Sequence, residues 1–268
     1  METDKAFAGT VPRIYNTYLV PLIFEPYADD LLKRLTARSP RRVLEIAAGT
    51  GVVTRRMAES LPETTSIVAS DLNQAMLDQA ESLGTSRSVE WRNADALQLP
   101  FDDGGFDAVV CQFGAMFFPD RPKAYSEARR VLKPGGLFIF NVWDAIEHNE
   151  FADTTTNALA SFFPHDPPRF LPRAPYGYHD VSVIERDLDA GGFKVAKITT
   201  VTASSNAASA QVPAMGFCQG TPLRGEIEAR KPGGLDEATT VAAEAIARKF
   251  GSGPIEAKIQ AHVVQATR

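Results

Sequence analysis

The chain is short of several things. It has only two cysteines, Cys111 and Cys218, and they are far apart. A disulfide framework or a thiolate metal cluster needs closely spaced pairs, so neither is expected. It has four histidines and no HExxH, which leaves no zinc-hydrolase signature and no metal site to expect. No apolar run reaches the length that a membrane span needs. Positive charge is in deficit: 28 Lys and Arg stand against 33 Asp and Glu, a formal net charge of -5. A general nucleic-acid surface needs the opposite balance and is excluded. The opening, METDKAFAGT, is polar and acidic and lacks the basic and apolar regions of a signal peptide. A cytoplasmic location is the expectation.

What is present is a chain of 268 residues, enough for one large α/β domain. Residues 24–37 carry apolar groups at helical spacing and predict a helix ahead of the first strand. A short apolar strand at 42–46 is followed by a helix that Pro62 stops. SIVAS (66–70) is a second strand with Asp71 at its end, and the helix NQAMLDQAESLG closes at Gly84. VEWRNAD (89–95) is a third strand ending at Asp95, and a fourth opens at Phe106. A helix at 122–132 and the turn PGG lead into LFIFNVW. This alternation implies a mostly parallel sheet with helices on both faces. After Trp143 the rhythm changes. A helix at 151–162 runs into a long proline-rich loop, a helix pattern resumes at VSVIERDLDAGGF, and KVAKITTVTA reads as a strand. Residues 205–253 are mostly helical, and IEAKIQAHVVQAT alternates as a last strand.

The stretch VLEIAAGTG, where strand meets helix, decides the class of ligand. Gly49 and Gly51 allow backbone to approach a ligand closely, at a point where open α/β sheets bind ligands. A dinucleotide site would show GxGxxG, with the pyrophosphate on the helix amino end. Here Ala47 and Ala48 stand where that motif begins. Glu45 immediately precedes the turn, and a carboxylate there repels a pyrophosphate but suits a cation. A cofactor with an ammonium and a sulfonium is favoured over NAD. The plain alternative is a tight strand-to-helix connection. Asp71 sits where a carboxylate takes both hydroxyls of an adenosine ribose, or caps the next helix. Asp95 can accept from an adenine amino group, or make a turn of its own.

Four segments in order then carry a resemblance: VLEIAAGTG, VASDLNQAML, NADALQLPFDDGGFDAVVCQFGAMFF and EARRVLKPGGLFIF. They resemble the class I S-adenosylmethionine-dependent methyltransferases, of the small-molecule type that includes the quinone-biosynthesis C-methyltransferases. The match covers about residues 41–143. It implies a Rossmann-like α/β fold with a mostly parallel seven-stranded sheet, the last strand antiparallel, and a helical or loop insertion over the carboxyl edge. It implies one domain over 1–268: an N-terminal helical cap (1–40), a cofactor-binding half (41–143), a substrate-side insertion or lid (144–180), and a C-terminal part (181–268) with a helical insertion at 205–253. The implied cofactor is S-adenosyl-L-methionine, with S-adenosyl-L-homocysteine as product. By position, Glu45 orients the turn amides or reaches the methionine ammonium indirectly. Ala47, Gly49 and Gly51 line methionine and ribose, and Asp71 holds the ribose diol. Leu72 and Met76 pack near the adenine, Asp95 takes its amino group and Ala96 offers an amide. Cys111, Gln112 and Phe113 end the fourth strand beside the sulfonium. One departure stands out: Ala47 replaces the first glycine usual in the opening motif.

Methyl transfer is a direct displacement, so alignment and exclusion of water come first. A base is needed only if the nucleophile must lose a proton early. His148, His165 and His179 are candidates; His148, just after the fifth strand, is the one expected to act, against the plain reading of a surface histidine. His179 and Asp180 read better as a helix cap. Before the first strand, Tyr18 in YNTYL is the candidate to close over the cofactor, and packing onto the sheet is the alternative. Phe162, Phe163, Phe170, Tyr176 and Tyr178 either line an apolar pocket or glue the proline-rich segment down. The expected partner is a small, apolar or aromatic metabolite, with no nucleic acid, no membrane span, and a monomeric or homodimeric state. A non-catalytic cofactor-binding protein and a methyltransferase acting on peptides are the alternatives, since fold alone does not assign function.

Overall fold

Near-continuous apolar runs form the strands, as expected for a sheet covered on both faces. In this computed structural model, which describes residues 9–194 and 196–268, they are β1 (Arg42–Ile46), β2 (Ser66–Asp71), β3 (Glu90–Asn93), β4 (Phe106–Gln112), β5 (Leu132–Trp143), β6 (Ala196–Ala207) and β7 (Ile255–Thr267). The helices are α1 (Val11–Ile14), a π-helix (Tyr15–Phe24), α2 (Glu25–Thr36), α3 (Val52–Ser60), α4 (Gln74–Leu83), α5 (Arg121–Val131), α6 (Glu150–Phe162), α7 (Phe170–Arg173), α8 (Val181–Ala190), α9 (Gln211–Gln219), α10 (Leu223–Arg230) and α11 (Leu235–Phe250). The sheet order is β3-β2-β1-β4-β5-β7-β6. The first five strands pair in parallel. The last strand, β7, runs antiparallel to both β5 and β6, so the expected Rossmann-like topology is present. Among the described residues no helix is long and apolar enough to cross a membrane.

Backbone contacts divide the chain into two units. One comprises Tyr27–Val142, Tyr178–Val201 and Ala261–Arg268; the other comprises the described residues through Pro26, Trp143–Gly177 and Thr202–Gln260. The four stretches read from the sequence are interleaved in this division. Eight residues of the expected N-terminal cap, and Val195 in the strand expected at 194–203, lie outside the described residues.

The first unit holds the main core. Leu137 and Ile139 of β5 join Ala28, Leu31 and Leu35 of α2 and Val53 and Met57 of α3 on one side of the sheet. The intervening residues face the other way, as strand geometry requires. There Tyr125 of α5 stacks on Phe140 at 5.2 Å between ring centroids, and Phe138 on Phe193 at 5.4 Å. Tyr178, expected to line a pocket or to pack, is buried and donates to Asp187 at 2.9 Å. Asp180 caps α8 by accepting from Ser182, as expected. β3 is shorter than expected, because it is an edge strand with exposed ends and Asp95 turns the chain by accepting from the Leu97 amide. The PGG segment lies within β5, where it loops out between residues paired with Phe106 and Ala108.

The second unit is mainly helical. The helix expected over 24–37 is present as α2 (Glu25–Thr36), and the π-helix (Tyr15–Phe24) precedes it. The stretch contains Pro21, which supplies no amide to a helical ladder. Gly216 of α9 and Gly220 just after it let the π-helix approach closely: a Cβ on Gly216 would meet the Leu19 side chain at 2.8 Å, and one on Gly220 the Tyr15 amide nitrogen at 3.1 Å. Phe170 and Tyr176 are buried in this unit, Tyr176 against Trp143 at 5.7 Å between centroids.

Candidate functional site

The turn after β1 is built from left-handed backbone. Ala47, Gly49 and Gly51 have φ of +53°, +57° and +77°. Gly51 is also required by packing, since a Cβ there would lie 3.0 Å from the Trp91 ring. The Ala48 amide donates to the Ser70 carbonyl and Gly51 to Ala48, each at 2.9 Å. The turn is thereby tied to the end of β2.

Asp71 completes that tie. Its Oδ2 accepts from the Gly49 amide and its Oδ1 from the Asn73 amide, both at 2.8 Å. Burial pushes its pKa up, and these two amide bonds oppose the shift. The capping role falls to Asn73, whose side chain accepts from the Ala75 amide. Asp71 is therefore no helix cap: it joins the glycine turn to the loop after β2. Met76 is buried beside Gly49, with its Cε 3.7 Å from where a Cβ would sit. Leu72 is exposed (52%). Asn93 donates to the carbonyls of Asp71 and Leu72 at 3.1 and 2.9 Å, fastening the end of β3 to that of β2. Just beyond, Asp95 is exposed and Ala96 buried.

Glu45 behaves differently from the sequence expectation. It is buried, and its Oε2 accepts from Thr54 Oγ1 at 2.5 Å. Desolvation pushes its pKa up to about 8, against that hydrogen bond and the nearby Arg55 charge. Burial therefore favours the protonated form of Glu45. The charge by which the sequence argument excluded a pyrophosphate is suppressed by burial.

At the end of β4, Cys111 is fully buried and its thiol is pushed up to about 12, chiefly by desolvation. It is an inert packing group at neutral pH. Gln112 is buried, and Phe113 has φ +51°. The Phe113 amide donates to Asn141 Oδ1 at 2.9 Å. The structure thus brings Glu45, Ala47, Gly49, Gly51, Asp71 and Met76 together around one turn, and places Cys111 and Gln112 at the end of the neighbouring strand β4 with Phe113 just beyond it. Tyr18 is half-buried on the π-helix and His148 is exposed on a 3-10 turn (Ile146–His148), both in the second unit.

Thr54, Asn73, Asn93, Gly114 and Asn141 were not singled out in the sequence. A lone polar residue inside LFIFNVW was a legible signal for Asn141, and an Asn just before a helix pattern for Asn73. Nothing local marks the other three.

A family model for a methyltransferase domain matches residues 44–140. The chain is 42% identical over 140 residues to the demethylmenaquinone methyltransferase of Deinococcus radiodurans, covering 51% of this chain and 58% of that protein. It is 31% identical over 178 residues to the ubiquinone/menaquinone biosynthesis C-methyltransferase of Saccharophagus degradans, covering 62% of this chain and 72% of that one. The chain thus spans less than two thirds of the Deinococcus relative and more than two thirds of the Saccharophagus one. The fold matches a phosphoethanolamine N-methyltransferase of Haemonchus contortus with a TM-score of 0.61 at 17% identity, over 99% of this chain and 59% of that one. With the motifs in order on this sheet, the chain belongs to the S-adenosylmethionine-dependent methyltransferase family that includes the quinone-biosynthesis C-methyltransferases.

Proposed function

We propose that this protein binds S-adenosylmethionine along the carboxyl edge of β1, β2 and β4 and transfers its methyl group to a small, largely apolar or aromatic molecule. The observation that carries the reading is the Asp71 carboxylate, which gathers the Gly49 amide into the junction of β1 and β2. Each of its oxygens accepts one amide and retains a second lone pair for a ribose hydroxyl. The exposed side chain of Leu72 beside it fits an adenine face, with Met76 beneath. Asp95, exposed at the turn after β3, is assigned the adenine amino group, and Ala96 an amide contact. Glu45, Ala47, Gly49 and Gly51 are assigned the methionine and ribose, and Cys111, Gln112 and Phe113 the sulfonium end.

The bound cofactor supplies a methyl group on a sulfonium, open to in-line displacement. The chain's own work is alignment: turn amides and carboxylates hold the nucleoside, and the buried end of β4 excludes water. Tyr18 is assigned closure of the site. His148 is assigned proton removal from the acceptor, where the acceptor needs it. The acceptor class is supported by the Deinococcus relative, a demethylmenaquinone methyltransferase. A cytoplasmic location and a monomeric or homodimeric state complete this reading.

Calorimetry with S-adenosylmethionine, S-adenosylhomocysteine and NAD tests the cofactor; NAD binding alone overturns it. A panel of phenols, quinone precursors, amines and small acids, run beside peptides and read by S-adenosylhomocysteine formation, tests the acceptor. Turnover confined to peptides refutes the small-molecule class. Cofactor binding with no turnover assigns a binding protein instead. His148→Ala is expected to slow turnover at saturating cofactor with affinity unchanged; an unchanged rate removes the base.

A further inference from the structure

Three groups meet where β4 leaves the sheet. Phe113 has φ +51°, a conformation that a bulky residue rarely adopts. Asn141, fully buried on β5, holds it there. Its Oδ1 accepts from the Phe113 amide at 2.9 Å, and its backbone carbonyl accepts from the same amide at 3.2 Å. Only the side-chain oxygen can accept, so this contact also fixes which way the amide of Asn141 faces.

Gly114 comes next, and its φ of -99° is open to any residue. Backbone conformation does not demand glycine there, but space does. A Cβ on Gly114 would lie 2.4 Å from the Cβ of Ala47 and 2.9 Å from the Sγ of Cys111. Ala47 is the residue that departs from the family's opening motif, and its φ of +53° is one that glycine adopts without strain. The methyl group added at 47 therefore occupies the room that the missing side chain at 114 leaves. The departure in the turn after β1 is accommodated by the turn after β4.

We infer that Ala47 and Gly114 form a coupled pair which, with Asn141, positions the exit turn of β4 against that of β1 and so shapes the seat for the amino-acid end of the cofactor. This rests on the cofactor reading above. That reading places the ribose at Asp71 on β2 and the adenine at Asp95 beyond β3. β4 lies on the opposite side of β1 from both strands. The remainder of the cofactor, its amino-acid chain, is the part directed toward β4. These three are positioning residues.

The test compares the native chain with Ala47→Gly, Gly114→Ala and the double variant, each checked by thermal melting. Affinities are measured for S-adenosylhomocysteine and for 5′-methylthioadenosine, which has the same nucleoside but no amino-acid chain. Gly114→Ala is expected to lose about tenfold in S-adenosylhomocysteine affinity with little change for 5′-methylthioadenosine, and adding Ala47→Gly to restore part of that loss, because the approach to Cys111 Sγ remains. A folded Gly114→Ala with native affinity, or a loss that Ala47→Gly does not reduce at all, overturns the coupling. Should Gly114→Ala not fold, Asn141→Leu carries the test of positioning, because it removes the shorter, side-chain acceptor of the Phe113 amide without crowding the turn. It is expected to show the same selective loss, and Asn141→Asp, which keeps an acceptor oxygen, to recover it. An equal loss of both ligands, or of neither, overturns the positioning role. Failure of the native chain to bind either ligand overturns the cofactor reading itself. Native binding with uncoupled variants overturns this inference alone.

Discussion

Glu45→Gln separates the effect of a buried acid from that of a charged one. In the native chain the carboxyl is buried at the end of β1 and its pKa is raised from 4.5 to about 8. The folded protein therefore binds a proton that the unfolded chain releases between those two values. Stability contributed by this group is full below the unfolded pKa and is lost as pH rises toward the folded one. The slope is about 1.4 kcal/mol per pH unit, so the total penalty at high pH is about 5 kcal/mol. Glutamine cannot ionise and keeps an oxygen that can accept from Thr54 Oγ1. Denaturant unfolding of both proteins, measured from pH 5 to pH 9, is expected to show the variant gaining on the native chain by about 4 kcal/mol over this range. Parallel stability curves would refute the reasoning, because they would mean that Glu45 ionises in the folded state as it does in water. The same proton reports on ligand charge. If a cationic cofactor approaches Glu45, binding at pH 7 releases the proton, and the heat of binding then varies with the ionisation enthalpy of the buffer.

Other outcomes follow from single contacts. Asp71→Ala removes acceptors from the Gly49 and Asn73 amides. It is expected to lower both stability and S-adenosylhomocysteine affinity, the latter by roughly 1.5–3 kcal/mol for each charge-assisted bond lost to the ligand; calorimetry showing native affinity in a folded variant removes the ribose role. Asn73→Ala deletes the cap of α4 and is expected to cost about 1 kcal/mol in a melting experiment, with no loss expected if another group takes over the Ala75 amide. Cys111 and Cys218 both have thiols pushed up to about 12 by burial, so neither should react with iodoacetamide at pH 8 in the folded protein; labelling at the rate of a free thiol would show that they are accessible.

The order of strands and helices over 41–143 was legible in the sequence, because buried parallel strands are apolar runs and the helices between them are amphipathic. Asp71 at the end of β2 was legible for the same reason, since it terminates an apolar run. Three things were decided only by the folded chain. Whether Asp71 capped a helix or tied down the glycine turn depended on Asn73 taking the cap, a competition between neighbours that share the same local signal. The charge of Glu45 depended on its desolvation, which composition cannot report because it depends on what packs around the carboxyl. The tolerance of Ala47 depended on Gly114, which lies 67 positions away (114 − 47) and reaches it only because β1 and β4 are paired in the sheet. Periodicity records which way a residue faces along its own element. It carries no information about which side chain, from which other element, arrives opposite, and that is what the close packing of the sheet's carboxyl edge determines.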